Sequence, residues 1–343
     1  MASSSFRPAN DPRLGIAFIC LGMVVITVND SIVKVFSDRY PLHEIVFVRA
    51  AVALLFSLVV LQFEGGLKAL RTGRPAAHIA RGLCMVVANL AFFGALASVP
   101  LADVTALFFV APLLITLLSI PFLGEKVGIR RFSAVAVGFA GVLVMLRPGA
   151  EELEHAPDRL TLLLPMVAAL AYATMQILTR KLRASAPASA MAIYIQGMFI
   201  AVSLGFFIVA GDGRFAEGVE NKSWLFLFRA WVWPTLEHWL VFVLLGGLSG
   251  FIAYALTQAY RLADAATLAP FEYVALPSAI ALGWLVFDHL PDLWVLLGCT
   301  LIAGSGIYVY WRERKLAEGG GGRRRPEPAE RGRAARADDL ADP

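Results

Sequence analysis

LADVTAL (Leu101–Leu107) and LADAATL (Leu262–Leu268) are one heptad written twice, 161 residues apart in a chain of 343. Each opens an apolar run with prolines in it, Pro112 in the first and Pro270 and Pro277 in the second. FVAP (Phe109–Pro112) is echoed by YVALP (Tyr273–Pro277). Each run then meets a polar break, GEK at Gly124–Lys126 and DH at Asp288–His289, and one more glycine-marked apolar segment follows. Seven matching positions can arise by chance in an apolar chain. The shared order of heptad, proline, break and glycine segment points instead to an internal duplication.

Composition sets the environment. The chain is 58% hydrophobic and only 16% charged, with a mean hydropathy of +0.69. Soluble domains average about 45–50% apolar and about 25% charged residues, so these few charges would not cover a soluble surface. A polytopic membrane protein is the economical reading, with the lipid bilayer as its first partner. The net charge of +4 is spread over loops and tail rather than gathered in one patch, which speaks against nucleic acid. Cys20, Cys84 and Cys299 lie in three different apolar runs and form no disulfide framework. Nothing in the chain calls for a cofactor or a metal. The polar N-terminus leads into its apolar run without a small-residue cleavage site, so that run reads as a retained helix.

A span needs about 20 apolar residues. The runs at 14–36, 42–62, 79–98, 102–123, 130–147, 160–181, 187–210, 239–260, 264–287 and 292–311 give an all-α integral membrane protein of ten helices, five per half. Short connections suggest that neighbours pack as antiparallel hairpins. WLFLFRAWVWPTLEHW (Trp224–Trp239) is interrupted by Arg229, Pro234, Glu237 and His238 and reads as a surface-lying segment. Lys and Arg concentrate in the loops on the N-terminal side, placing both termini in the cytoplasm and the protein in the inner (plasma) membrane. Five helices per half is odd, so the second half enters the membrane inverted, an architecture common among secondary transporters. The expected organisation is a cytoplasmic segment (1–13), a first repeat (14–148), a second repeat (160–311) and a disordered cytoplasmic tail (312–343).

The chain resembles the drug/metabolite transporter superfamily, EamA type. The likeness covers roughly residues 14 to 311 and rests on the five-plus-five duplication and on several local patterns. These are NDSIVK (Asn29–Lys34), Glu44 and Arg49 in helix 2, RGL (Arg81–Leu83) in helix 3, PFLGEKVG (Pro121–Gly128) and VGFAGVLVMLRP (Val137–Pro148). Within the superfamily they are closest to a branch that includes S-adenosylmethionine and riboflavin carriers. The second copy departs from the pattern at Asp288–His289, where a Gly–Glu pair is usual. The resemblance implies translocation of a small organic metabolite through a cavity between the halves, with helices 5 and 10 peripheral.

Ionisable groups at bilayer depth usually face a partner or a water-filled cavity. Asp30 and Lys34 share a face of helix 1 and read as a gate, a substrate contact or a structural ion pair. Arg49 could bind an anionic group or pair with Glu44 or Asp30. Arg81 reads as an anchor for helix 3. Asn89, mid-helix, is either substrate-facing or bonded across helices. Tyr172 and Gln176, and likewise Tyr254 and Gln258, are i, i+4 pairs suited to a planar, hydrogen-bonding ligand. Glu272, followed by Tyr273, lies between Pro270 and Pro277 where lost backbone hydrogen bonds can open polar backbone to a cavity. It is the sharpest candidate for binding a coupling proton or a cationic substrate group, the alternative being a carboxylate neutralised by a basic neighbour. Asp103 and Asp264 begin their helices and read as caps.

Three other functions fit the sequence less well. Gly247-Leu248-Ser249-Gly250 spells GxSG, but no histidine lies inside a later span to serve an intramembrane serine protease. No phosphate loop supports an ATP-driven pump. A non-transporting sensor or assembly protein is the remaining alternative, and a homodimer is left open.

Overall fold

The computed structural model describes residues 11–63, 66–124, 129–146, 159–182, 188–262, 268 and 271–320. Its helices are α1 (Pro12–Phe36), α2 (Leu42–Phe63), α3 (Pro75–Ser98), α4 (Leu101–Phe108), α5 (Ala111–Leu123) and α6 (Ile129–Leu146) in the first half. The second half holds α7 (Arg159–Leu182), α8 (Ala188–Ala210), the short α9 (Lys222–Phe228), α10 (Leu236–Leu262), α11 (Ala275–Phe287) and α12 (Leu293–Gly320). Seven segments are long and apolar enough to cross a membrane, α4 and α5 counting as one, and three shorter apolar stretches lie in α6, α11 and α12. The protein is an all-α integral membrane protein.

Local signals account for the boundaries. Asp11 caps α1, accepting from the amides of Arg13 (3.1 Å) and Leu14 (3.2 Å), and Pro12 fills the first position, where a missing N–H costs nothing. Gly124 ends α5 at φ +69°. Asp288 ends α11 in the same left-handed region at φ +51°, a conformation Asp tolerates better than most side chains. The departure from Gly–Glu in the second copy thus keeps the backbone geometry of the first.

Two spans are broken rather than continuous. The run expected at 102–123 turns at Phe109–Val110, and the one expected at 264–287 turns at Tyr273–Val274. Both breaks fall in the FVAP/YVALP echo, where a proline follows within two or three residues and withholds a backbone donor. Asp103 is not the cap of α4. Pro100 holds that position, and Asp103 sits in the first turn, where the helix dipole favours a carboxylate. Residues 263–267 and 269–270, including Asp264 and Pro270, lie outside the described residues, as do 147–158 and 321–343. The last helix runs to Gly320, beyond the expected end of the tenth span at 311.

Hairpin packing of sequence neighbours is not what holds the bundle. The extensive contacts join the halves: α3 with α7, α1 with α10, α2 with α8 and with α10, α3 with α8, and α6 with α12. α5 packs on α7 and α11 packs on α1 and α4. Exchange α1 with α7, α2 with α8, α3 with α10, α4–α5 with α11 and α6 with α12. Each of these pairings then maps onto itself or onto another in the set. The packing network therefore carries the twofold relation that the repeated heptad announces. Short loops fix the order of crossing, while shape complementarity between small-residue faces decides which helices touch.

The α6–α12 pair shows that complementarity most sharply. A Cβ added at Gly141 would lie 2.9 Å from the Gly298 carbonyl oxygen, and one added at Gly298 would lie 2.8 Å from that of Gly141. Beyond each other these two helices touch chiefly α4, so they stand at the edge of the bundle.

Residues 211–235 interrupt the symmetry. The matching connection in the first half is only 64–74. α9 has seven residues, about 10 Å of helix, and the Trp224–Trp239 stretch is not among the candidate spans. It folds as a cap over one end of the bundle, with Phe226 1% exposed.

Candidate functional site

α1, α2, α3 and α10 bring one polar group together inside the bundle. Asn29 donates to the Leu245 carbonyl at 3.2 Å and to Ser249 Oγ at 3.5 Å. Arg49 donates to Asn29 Oδ1 at 3.5 Å, and its guanidinium stands 5.2 Å over the Phe93 ring. Asp30 acts on Arg49 through space. Of the alternatives for Arg49, the structure brings it to Asn29 and Asp30 rather than to Glu44. Asn89, one turn before Phe93, is buried and its Oδ1 has no hydrogen-bond partner.

An aromatic row leads from this group to a second one. Phe93 meets Phe92 at 5.3 Å, Phe92 meets Phe108 at 5.3 Å, and Phe108 meets Tyr172 at 5.4 Å between ring centroids. Gln176 donates to the Tyr172 hydroxyl at 2.7 Å. Phe109 and Tyr273, the aromatic residues of the two helix breaks, face each other at 5.2 Å. Glu272, the residue before the second break, is close enough for its charge to act on both Tyr172 and Tyr273.

Asp30, Arg49 and Tyr172 are each half-buried. Carboxylates, a guanidinium and amides gathered beside a row of aromatic rings suit a flat ligand with polar edges.

Lys34 belongs elsewhere. Its ammonium donates to the carbonyls of Leu96 and Val99, the latter at 2.7 Å, and lies 5.5 Å from the Phe287 ring centroid. The i, i+4 spacing does not produce a pair with Asp30. The long stem of Lys34 carries its charge to the capped end, as snorkelling side chains do, while Asp30 turns inward. Lys34 there lines a cavity of about 450 Å³ with Asp38, Lys222, Val99, Phe287 and His289. Tyr254 is 44% exposed, touches Phe18 edge-on at 6.3 Å and joins neither polar group. The side chain of Gln258 lies outside the described residues. Arg81 donates to Thr179 Oγ1 at 3.2 Å and to the Met191 carbonyl at 2.5 Å, tying α3 to α7 and α8 at the uncapped end. Ser249 donates to its own helix at the Leu245 carbonyl, 2.8 Å away, so its hydroxyl proton is engaged without a base.

Asn29, Phe92, Phe93 and Phe108 were not singled out as candidates. Asn29 opens the NDSIVK pattern beside Asp30, and Phe93 follows Asn89 by one turn. Both positions were readable as a stripe; nothing local marked the phenylalanines as wall rather than packing.

The profile of the EamA-like transporter family matches residues 13–147, the first half of the frame described above. A riboflavin transporter of Rhizobium johnstonii is 30% identical over 88% of this chain and 91% of its own length. The chain belongs to the EamA-like transporter family. An S-adenosylmethionine uptake transporter of Rickettsia bellii is 26% identical, over 88% of this chain and 95% of that protein. A riboflavin transporter of Vibrio cholerae is 27% identical over 89% and 95%. A solved crystal structure aligns with TM-score 0.59 at 20% identity, covering 89% of this chain and 98% of that one, and shares the fold. The protein is a membrane transporter of the branch that its NDSIVK and RGL patterns resemble.

Proposed function

We propose that this transporter moves a planar, heteroaromatic metabolite of the riboflavin or S-adenosylmethionine class across the inner membrane by alternating access. The seven long spans and three shorter apolar helices would make ten crossings, in inverted repeats at 14–148 and 160–311, with both termini cytoplasmic. Asp30, Arg49, Asn89, Tyr172, Gln176 and Tyr273 line the path, and Glu272 carries the coupling proton or a cationic part of the substrate. The observation that carries this reading is the row of aromatic rings that joins the Asn29–Arg49 group to the Tyr172–Gln176 pair.

Charge separates the two substrate kinds. A sulfonium cation gains from the Asp30 and Glu272 carboxylates, whereas a neutral flavin relies on stacking and hydrogen bonds. The test is a thermal-stabilisation panel on purified protein, followed by proteoliposome flux of each hit. A ligand at 100 times its Kd adds about 2.7 kcal/mol to the folded state. Stabilisation and flux by one class and not the other fix the substrate. Tight binding without flux would turn the assignment to the sensor reading, and cysteine labelling of the C-terminus from outside intact cells would overturn the topology.

A further inference from the structure

Glu44 stands in the first turn of α2, at the capped end, and is 0% exposed. Its Oε2 accepts a hydrogen bond from the Val232 amide in the cap at 3.1 Å. Its Oε1 is buried and has no partner. A buried carboxylate normally meets an arginine, a lysine or several donors, because an uncompensated charge inside protein is among the costliest arrangements known. Glu44 meets one backbone N–H.

The charged and titratable groups around it are all otherwise engaged or in solvent. On its own helix, His43 bonds the Leu227 carbonyl at 3.3 Å and stacks on Phe206 at 5.8 Å. Arg229 of the cap donates to the Ser37 carbonyl at 3.4 Å, and Tyr40 is bonded to His238 of α10 at 2.6 Å. Arg214 pairs with Asp212 at 3.4 Å beyond the end of α8. Asp38 and Arg39 of the α1–α2 turn, Lys222 of α9 and Glu237 of α10 are exposed. Among the described residues, the one hydrogen-bond donor to the Glu44 carboxyl is the Val232 amide.

We infer that Glu44 is a proton-binding site, and that its bound proton latches the cap onto the first turn of α2. With the proton on, Oε1 is a hydroxyl, the group is neutral and burial is tolerable while Oε2 keeps the Val232 N–H. With the proton off, the buried charge has one donor, the Val232 N–H. It must reach water, and reaching water means releasing Val232. The cap that this would free carries the contacts of Trp231 with His43 and Phe47 and the Ser98–Ser223 bond, 2.7 Å long, that ties it to α3. The latch deepens the proposed alternating access by placing a proton-controlled element at the capped face, distinct from Glu272 at the centre.

Hydrogen exchange of the cap peptide 222–235 tests it, on the full chain in lipid nanodiscs and corrected for the intrinsic pH dependence of exchange. In the wild type, protection should fall roughly tenfold or more as pH rises through one single-proton transition. Glu44→Gln, always neutral and still an acceptor, should stay protected throughout. Glu44→Ala should be unprotected throughout. A wild-type cap whose protection ignores pH, or a Glu44→Gln cap that titrates like the wild type, overturns the proposal. Should the Gln variant fail to fold, Val232→Pro removes the donor from the other side. It should abolish the protection and the titration together, and a Val232→Pro cap that retains both also overturns it. No transport is read in any arm, so failure here is distinguishable from a wrong substrate or a non-transporting protein.

Discussion

The two helix breaks are the same device with different side chains. At the first, Phe108 precedes the turn residues Phe109 and Val110; at the second, Glu272 precedes Tyr273 and Val274. The backbone does the same thing twice, and the aromatic residues of the two turns face each other at 5.2 Å. Only the second copy places a carboxyl there. A duplicated frame supplies symmetric packing, which two-sided access requires. A substrate is not symmetric, and the proposed coupling group stands where the copies differ. The cap repeats the lesson on a larger scale, since residues 211–235 of the second half answer to 64–74 of the first.

The largest effect should come from making the two breaks alike. Glu272→Gln keeps size and hydrogen bonding while removing the charge, and proteoliposome flux should fall at least tenfold, or about 1.4 kcal/mol. Whatever pH dependence flux has should flatten. Phe108→Leu, at the equivalent place in the first copy, should cost far less, because it removes two ring contacts, with Phe92 and Tyr172, and no charge. Equal losses at the two positions would mean that the breaks matter for backbone shape alone. Wild-type flux with an unchanged pH profile in a folded Glu272→Gln protein would falsify the role given to this residue.

The frame was legible and the pairing within it was not. Apolar runs of about 20 residues announce themselves, but 102–123 and 264–287 read as continuous spans, with a kink expected only around Glu272 between Pro270 and Pro277. Which helix touches which is a matter of surface shape between distant segments. Tyr172–Gln176 and Tyr254–Gln258 have the same spacing in similarly apolar helices, yet Tyr172 lies inside and Tyr254 is 44% exposed. A membrane helix apolar all round has no polar face to tell the interior from lipid. Asp30 and Lys34 likewise share a face on paper, but side-chain length sends one charge inward and the other to the end of the bundle.

A middle-sized effect should separate the edge pair from the centre. Gly141→Leu drives a side chain into the Gly298 carbonyl and Leu301, which already stand 2.9 Å from where a Cβ would begin. Overpacking of this kind costs about 1–3 kcal/mol, to be read as thermal stability in detergent. Gly197→Leu, where a Cβ would meet nothing within 4 Å, should leave stability nearly unchanged. If both variants melt alike, close α6–α12 packing is not a source of stability. If Gly141→Leu abolishes flux at unchanged stability, that pair is part of the moving machinery rather than its edge.

The smallest effect compares the two left-handed caps. Gly124 and Asp288 end α5 and α11 at φ +69° and φ +51°, in equivalent turns of the two copies. Gly adopts this region without a Cβ clash, whereas other L-residues lose about 1–2 kcal/mol there, Asp somewhat less because its short polar side chain bonds locally. Gly124→Ala should therefore destabilise by about 1 kcal/mol, and Asp288→Gly should be neutral or stabilise by a few tenths. The Asp288 turn is also closed by its own amide on the Trp284 carbonyl and by the His289 amide on the Gly283 carbonyl, each at 3.0 Å. Backbone bonds survive the change of side chain, so nothing in the turn should open when glycine replaces Asp288. A clear loss of stability in Asp288→Gly would mean that the carboxyl does more than tolerate its backbone angle. Its neighbour His289 lines the 450 Å³ cavity with Lys34 and Lys222, so flux and stability should be measured on the same samples. Stability lost with flux intact keeps the second copy's departure structural, and flux lost with stability intact makes this turn part of the path.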